Sequence, residues 1–141
     1  MKEIKTEVII NASTNQVWQV LTDFAAYPSW STFMVSIEGA PILGSRLRNT
    51  MVLKDTPQVF KPIVTKVAPN EAFEWRGSLP LGLFKGRHYF ILEAMGNQQT
   101  KLIHGEQFTG LLHKLILRKI ETDTLLAFQR WNKAIKAKVE G

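Results

Sequence analysis

The sequence predicts an α+β fold in which a curved antiparallel sheet of seven strands wraps around a long C-terminal helix. The chain has 141 residues, which suits one domain, residues 1–141, with a single core. Runs rich in β-forming residues, separated by turn residues, extend from Met34 to Thr109. From Leu112 to Glu140 there is no glycine or proline, and apolar residues recur every three or four positions. This last pattern is typical of an amphipathic helix.

The N-terminal region predicts a strand near Glu3–Ile10 followed by a short capped helix. Ser13 and Gln16 have capping-box spacing, in which each side chain can satisfy an early backbone N–H of the helix. One apolar face of this helix is formed by Val17, Trp18, Leu21 and Phe24. We expect Tyr27-Pro28 to close the segment, because the residue before a proline is driven out of the helical region.

Six further strands are expected in the middle of the chain. They are Met34–Glu38, Arg46–Lys54, Gln58–Val67, Ala72–Ser78, Arg87–Ala94 and Thr100–Thr109. Because the separators between them are short, neighbouring strands should be antiparallel. The last helix should present its apolar face to this sheet through Leu117, Ile120, Thr124, Phe128, Trp131 and Ile135.

Charge is concentrated in the last helix. The formal net charge is +6, from 18 basic and 12 acidic residues. The segment Leu112–Gly141 holds seven basic and three acidic residues, so it carries +4 of that charge. This basic stripe is the expected solvated face of the helix. No nucleic-acid-binding motif accompanies it, so no specific nucleic-acid partner is predicted.

Several function classes are disfavoured by composition. The absence of cysteine excludes disulfides and thiol catalysis. No stretch reaches the roughly 18 apolar residues of a membrane-spanning helix, and the start of the chain does not resemble a signal peptide, so we expect a soluble cytoplasmic protein. The segments GSLPLG and GLFKG lack the glycine spacing of phosphate and dinucleotide loops. No cofactor is predicted.

Strand alternation places two histidines and a carboxylate on the face toward the last helix. His88, Phe90 and Leu92 share a face of the sixth strand, and Leu102, His104, Glu106 and Phe108 share one of the seventh. If the turn at Gly96-Asn97-Gln98 pairs Met95 with Gln99, His88 lies opposite Glu106 and Phe90 opposite His104. The same register across the preceding loop places Trp75 opposite His88. The other faces should be solvated, with Glu74, Arg76, Tyr89, Ile91, Glu93, Lys101, Gln107 and Thr109.

These inward polar groups admit several interpretations. They could orient the polar end of an apolar ligand, or satisfy one another and the helix backbone. Glu106 and His88 are the candidate catalytic residues, because such a pair could remove a proton from carbon next to a carbonyl. Two histidines and one carboxylate are also the ligand set of a non-haem iron facial triad. The spacing of His88, His104 and Glu106 in the sequence matches no recognised ligand motif, so no metal site is predicted.

The loop from Leu79 to Phe84 is unusually apolar for a connection between strands, since Leu79, Leu81, Leu83 and Phe84 are four of its six residues. Such a loop could be a lid, a membrane contact or a homodimer contact. Equally, it could fold back over a cavity mouth as ordinary packing.

Four segments carry a resemblance to a known family. They are ASTNQVWQVLTDFAAYPSW, FEWRGSLPLGLFKGRHYFIL, TKLIHGEQFTGLL and FQRWNKAIK. Together they resemble the polyketide cyclase/dehydrase and lipid-transport family of the START-like, helix-grip (SRPBCC) superfamily, over about Glu3 to Lys138. The resemblance implies a helix-grip fold with a deep, mostly apolar cavity between the sheet and the long helix. It does not fix a function, because that superfamily includes lipid carriers, hormone receptors, cyclases and chaperone regulators.

The leading expectation is that the domain binds a small hydrophobic or amphipathic molecule in this cavity, as a carrier, sensor or store. The alternatives are a cofactor-independent cyclase or dehydratase that uses the same cavity, and a protein-interaction module of the chaperone-regulator type. The expected ligand-binding residues are Tyr27, Trp30, Phe33, Leu47, Met51, Phe60, Trp75, His88, Phe90, His104, Glu106, Phe128 and Trp131.

Overall fold

The computed structural model describes residues 1–141 and contains eight strands and three α-helices. The strands are β1 Lys2–Ile10, β2 Met34–Glu38, β3 Arg48–Leu53, β4 Thr56–Phe60, β5 Ile63–Ala68, β6 Ala72–Ser78, β7 Lys85–Ala94 and β8 Thr100–Thr109. The helices are α1 Thr14–Thr22, α2 Tyr27–Trp30 and α3 His113–Glu140, with single 3-10 turns at Phe24–Ala26 and Pro80–Gly82. None of the helices is both long and apolar enough to cross a bilayer.

The α+β class, the antiparallel pairing and the C-terminal helix are confirmed, but the single seven-stranded sheet is wrong. Five strands form one sheet in the order β1-β8-β7-β6-β5, and three form a second in the order β2-β3-β4. The division falls within the predicted strand Gln58–Val67, where Lys61 and Pro62 separate β4 from β5. Proline has no N–H to give to a ladder, so the strand breaks there. A single bridge between Arg46 and Ile63 connects the two sheets across this break.

The helical segment after β1 is confirmed, with a different ending. Both hydrogen bonds of the Ser13–Gln16 capping box are present, and α1 ends at Thr22. Tyr27 has helical angles, φ −52° and ψ −43°, and Pro28 lies in the first turn of α2. The expectation that Tyr27 would leave the helical region was therefore wrong. Proline is well tolerated in a first helical turn, where the missing N–H has no partner to lose.

The long helix α3 packs across β1 and β8 and also contacts β3, α1 and α2. Its second half joins the main core cluster of 17 buried residues through Trp131 and Ile135. Its first half contributes Leu117 to a small core cluster of four buried residues, whose other members are Ile4, Phe108 and, from just past the middle of the helix, Phe128. The two halves of the helix are therefore anchored by cores of very different size.

The outer face of the large sheet is less solvated than predicted. Glu74 and Tyr89, both expected in solvent, are buried. Glu74 accepts hydrogen bonds from Thr65 and Arg87, and the Tyr89 hydroxyl donates to Glu3 at 2.6 Å. Burial alone would raise the pKa of Glu74, but these hydrogen bonds hold that pKa below its usual value. Pairing between strands lets these polar groups be buried without losing their partners.

Candidate functional site

The predicted register of the central strands is confirmed. His88 pairs with Glu106 and Phe90 with His104 between β7 and β8, and Trp75 pairs with His88 between β6 and β7. The positions of the turns and the two-residue alternation of strands were enough to predict that these five side chains share the concave face. Three of them, His88, Phe90 and His104, contact Phe128 or Trp131 of α3 in the interior of the fold.

The two histidine rings lie within a group of aromatic side chains. His88 stacks on Trp75 with ring centroids 4.9 Å apart, and His104 stacks on Phe128 at 4.2 Å. Phe90 contacts both rings, tilted against His88 at 5.1 Å and stacked on His104 at 4.8 Å, and Trp131 contacts both Phe90 and His104. Six predicted ligand-binding residues are thus in mutual contact, and all six are buried.

One end of a buried polar chain is fixed by hydrogen bonds whose direction can be assigned. The Thr6 hydroxyl donates to the backbone oxygen of His104 at 2.8 Å and accepts from Nδ2 of Asn132 at 2.8 Å. With Nδ2 used in this way, Oδ1 of Asn132 faces Nδ1 of His104 at 2.9 Å. An amide oxygen can only accept, so Nδ1 of His104 carries the hydrogen.

The remaining protons of the chain follow from the neutrality of His104. Complete burial, and then the nearby His88, hold the pKa of His104 well below its usual value, although the Asn132 hydrogen bond opposes them. A neutral ring with its hydrogen on Nδ1 can only accept at Nε2, so Nε2 of His88 donates across the 2.7 Å separation. Nδ1 of His88 then faces Oε1 of Glu106 at 3.4 Å. This contact with the carboxylate of Glu106 is the outer end of the chain.

Glu106 is the only member of this chain that reaches solvent. Its side chain is 20% exposed, whereas that of His88 is 1% exposed. The carboxylate lies directly over Gly86, at the place where any larger residue would put its Cβ. Gly86 therefore makes room for Glu106 within β7. The groups form a line from the surface to the core instead of converging on one point, and no three of them form a cluster with metal-binding geometry.

The other predicted ligand-binding residues are distributed around this centre. Tyr27 is buried and donates its hydroxyl hydrogen to the Leu21 oxygen at 2.6 Å, and burial raises its pKa far above the usual value. Trp30 packs on Trp131, and Phe33 packs on Phe128. Leu47 lies in the main core cluster and Met51 at its edge. Phe60 is 44% exposed on β4 and does not join the group.

Side chains fill the interior where the resemblance implied a deep cavity. Phe90, His104, Phe128 and Trp131 have no exposed surface between the sheet and α3. Two clefts of about 220 and 170 Å³ lie elsewhere. The larger is lined by Gln19, Val20, Asp23, Ala26, Trp30 and Lys138, and the smaller by Val52, Leu53, Lys54, Asp123, Leu126, Ala127 and Arg130. The space between the large sheet and α3 is therefore packed with side chains.

Asn49 is a candidate site residue that sequence reasoning missed. It is fully buried on β3, and both Oδ1 and Nδ2 of its amide lack a hydrogen-bond partner. A buried, unpaired amide is unfavourable by about 1 to 3 kcal/mol. Leu47 and Met51 were both predicted to line the interior, and two-residue alternation places Asn49 on the same face between them. That signal was available in the sequence.

Comparison with solved structures shows the same fold in proteins of low sequence identity. The di-domain aromatase/cyclase BexL from the BE-7585A biosynthetic pathway is 14% identical, with a TM-score of 0.76, over 99% of this chain and 47% of that one. This chain therefore spans about half of BexL. The ZhuI aromatase/cyclase from Streptomyces sp. R1128 is 12% identical, with a TM-score of 0.76, over 99% and 93% of the two chains.

A plant enzyme shares the fold as well. Norcoclaurine synthase from Thalictrum flavum, in complex with dopamine and hydroxybenzaldehyde, is 20% identical, with a TM-score of 0.71, over 98% of this chain and 86% of that one. No curated protein matches the sequence. The sequence profile of the family described as polyketide cyclase / dehydrase and lipid transport matches residues 1–140. The chain therefore belongs to the polyketide cyclase/dehydrase and lipid-transport family.

Proposed function

We propose that this domain binds a small apolar or amphipathic molecule between the concave sheet and α3. Transfer of apolar ligand surface out of water would provide the affinity, at roughly 25 cal/mol per Å² buried. Glu106 and His88 would fix the polar part of the ligand, and Asn49 would offer it a second contact. Family membership over residues 1–140 supports this proposal.

The observation that carries the proposal is the polar chain itself. A domain that needed only a stable core would place apolar side chains at positions such as 88, 104 and 132, since buried polar groups contribute little net stability. Here His88, His104 and Asn132 are all at most 2% exposed and lead outward to Glu106. The chain presents one ionisable group at the boundary between the apolar interior and water.

Ligand entry would require the closed interior to open, and the first half of α3 is the weakest boundary. The small core cluster holds it against the sheet, together with ion pairs from Lys2 to Glu121 at 2.9 Å and from Lys54 to Asp123 at 3.2 Å. Exposed ion pairs of this kind contribute about 0 to 1 kcal/mol each. Displacing Phe128 and Leu117 would open the space beside His104.

The test is native mass spectrometry of the purified protein, followed by extraction and identification of any bound small molecule. We expect a retained apolar molecule, and fluorescence enhancement of anilinonaphthalene sulfonate that the extracted molecule suppresses. Glu93→Gln, on the outer face of β7, serves as the control for Glu106→Gln because it removes the same charge. Protein that is always empty, together with no competition by any apolar compound, would contradict the proposal.

A second candidate function is cyclisation or dehydration, and the contact between Nδ1 of His88 and the Glu106 carboxylate, which is 20% exposed, favours it. In such a reaction the Glu106 carboxylate would accept a proton from carbon next to a carbonyl, leaving an enolate whose carbon attacks a second carbonyl of the same substrate chain. The alkoxide formed from that second carbonyl would take the proton back from Glu106, which restores the carboxylate. Glu106→Gln separates the two functions. A carrier should keep nearly all of its affinity for an apolar probe, whereas an enzyme of this type should lose most of its turnover.

A further inference from the structure

A patch of exposed leucines lies at the end of the fold where β7 begins and β8 ends. We call it the leucine patch, and it consists of Leu79, Leu81, Leu111, Leu112 and Leu115. The backbone joins its two segments, because N–H groups of Leu111 and Leu112 donate to the oxygens of Gly82 and Leu83. Gly110 makes this contact possible, since a Cβ there would lie 2.8 Å from both oxygens. The two segments are therefore held together as one surface.

Leu81 is not explained by folding. It is 91% exposed and has a left-handed backbone, with φ at 62°. An L-residue other than glycine pays roughly 1 kcal/mol for this conformation, and asparagine tolerates it better than leucine. The side chain gains nothing from core packing in return. A strained, solvated leucine at the apex of a loop indicates a role outside the folded domain.

The charges within the two chain segments that form the leucine patch all have one sign. Lys85 follows the first segment, and Lys114, Arg118 and Lys119 lie in the first two turns of α3. Residues 77–86 and 107–120 contain no aspartate or glutamate. The nearest carboxylate after them in the chain, Glu121, is paired with Lys2. Four basic residues thus flank the exposed leucines, and the two carboxylates that adjoin these segments have contacts elsewhere, Glu106 with His88 and Glu121 with Lys2.

We propose that the leucine patch docks on the surface of an anionic lipid bilayer. Leucines that project from a surface can enter the boundary between head groups and acyl chains, while adjacent lysine and arginine residues remain among the phosphates. An acidic protein would satisfy the charges, but leucines that project outward suit a deformable lipid phase better than a preformed groove. This proposal does not depend on whether the interior binds a ligand.

The first test compares two exposed apolar residues at opposite ends of β7. Leu81→Asn removes the leucine and suits the left-handed backbone, so the fold should be retained, as thermal denaturation would show. Met95→Asn is the control, because Met95 is 47% exposed beyond the far end of β7. In sedimentation with vesicles of phosphatidylcholine and phosphatidylglycerol, Leu81→Asn should lower partitioning about tenfold. Met95→Asn should leave it unchanged.

The second test concerns charge. Lys114→Glu with Lys119→Glu should lower partitioning into these vesicles by more than about tenfold. Lys133→Glu with Lys138→Glu changes the net charge equally at the other end of α3 and should have a much smaller effect. The proposal is overturned if wild-type protein ignores anionic vesicles, or if both charge pairs act equally. Binding to polyglutamate that depends on Leu81, without vesicle binding, would indicate an acidic protein partner instead.

Discussion

Nε2 of His88 lies 2.7 Å from Nε2 of His104, in the interior between the large sheet and α3. At this separation one nitrogen must donate and the other accept, so the two rings cannot both be fully protonated. Asn132 decides which ring accepts, because its oxygen takes the Nδ1 hydrogen of His104. The arrangement keeps Nε2 of His104 a hydrogen-bond acceptor in the core, facing the N–H of His88.

The first prediction concerns stability against pH. The unfolded chain binds a proton at His104 near pH 6.5, whereas the folded protein does not, because burial lowers the pKa of His104. The unfolded state therefore gains protons first as pH falls. The free energy of unfolding should drop below about pH 6.5, by up to about 1.4 kcal/mol per pH unit. Urea denaturation across pH 7.5 to 5 measures this slope.

The same urea denaturation experiments distinguish the contribution of His104 to the pH dependence of stability from that of the carboxylates. The pKa of Glu74 is lowered, so its contribution is present above the usual carboxylate range and is lost only at more acidic pH. His104→Gln should flatten the slope near pH 6, whereas His113→Gln, at the start of α3, should retain it. An unchanged slope in His104→Gln would show that another group titrates there.

The second prediction concerns Gly86 and its contact with Glu106. Gly86→Ala should lower the free energy of unfolding by about 1 to 3 kcal/mol, because the new methyl group displaces the carboxylate. Gly77→Ala is the matched control in β6, where the added Cβ would lie 3.6 Å from Pro62. Gly77→Ala should leave the free energy of unfolding unchanged. In a Glu106→Ala background most of the Gly86→Ala effect should disappear, and a full additive loss would rule out the contact as its cause.

The third prediction compares two buried asparagines. Asn49→Leu should raise the free energy of unfolding of the ligand-free protein by about 1 kcal/mol, since it removes an unpaired amide of similar size. Asn132→Leu should lower it by about 2 to 4 kcal/mol, because His104 and Thr6 lose their partner. If Asn49 is a ligand contact, Asn49→Leu should also weaken retention of the extracted molecule. Equal destabilisation by both changes would mean that Asn49 has a structural partner.

The fourth prediction concerns the two halves of α3. Amide hydrogens of residues 117–122 should exchange faster than those of residues 127–135, because the small core cluster protects the first half less. Leu117→Ala should accelerate exchange in the first half alone, whereas Ile135→Ala should do so throughout the protein. Binding of a ligand should slow amide hydrogen exchange in the first half of α3. Uniform exchange along α3 would argue against opening at this end.

Local patterns were sufficient to predict much of the fold. Hairpin spacing predicted the pairing of His88 with Glu106, and the capping box predicted the start of α1. These features depend on residues close together in the chain, where parity and hydrogen-bond geometry leave few alternatives. The break at Pro62 also had a local signal, but an edge strand can accommodate proline, so the residue alone does not determine where a sheet divides.

The sequence was sufficient to predict which residues form the candidate site, but not whether their side chains enclose a cavity. Alternation identified the face that carries His104 and Phe90, yet it contains no information on whether those side chains surround a space or fill it. That depends on how Phe128 and Trp131 of α3 meet the sheet, which requires contacts between distant parts of the chain. The link from His104 to Asn132 and Thr6 was missed for the same reason, since its members come from β8, α3 and β1.

The break at Pro62 divides the strands of the domain into two separate sheets. The five-stranded sheet is a continuous ladder, whereas the backbone hydrogen bonds that connect the three-stranded sheet to it lie around Arg46 and Ile63. Moving the two sheets apart would bend the chain around Arg46 and Ile63 and leave the hydrogen-bonded ladders of both sheets intact. The position of Pro62 thus makes the connection between the two sheets, and not either ladder, the place where the domain can change shape without any strand leaving its sheet.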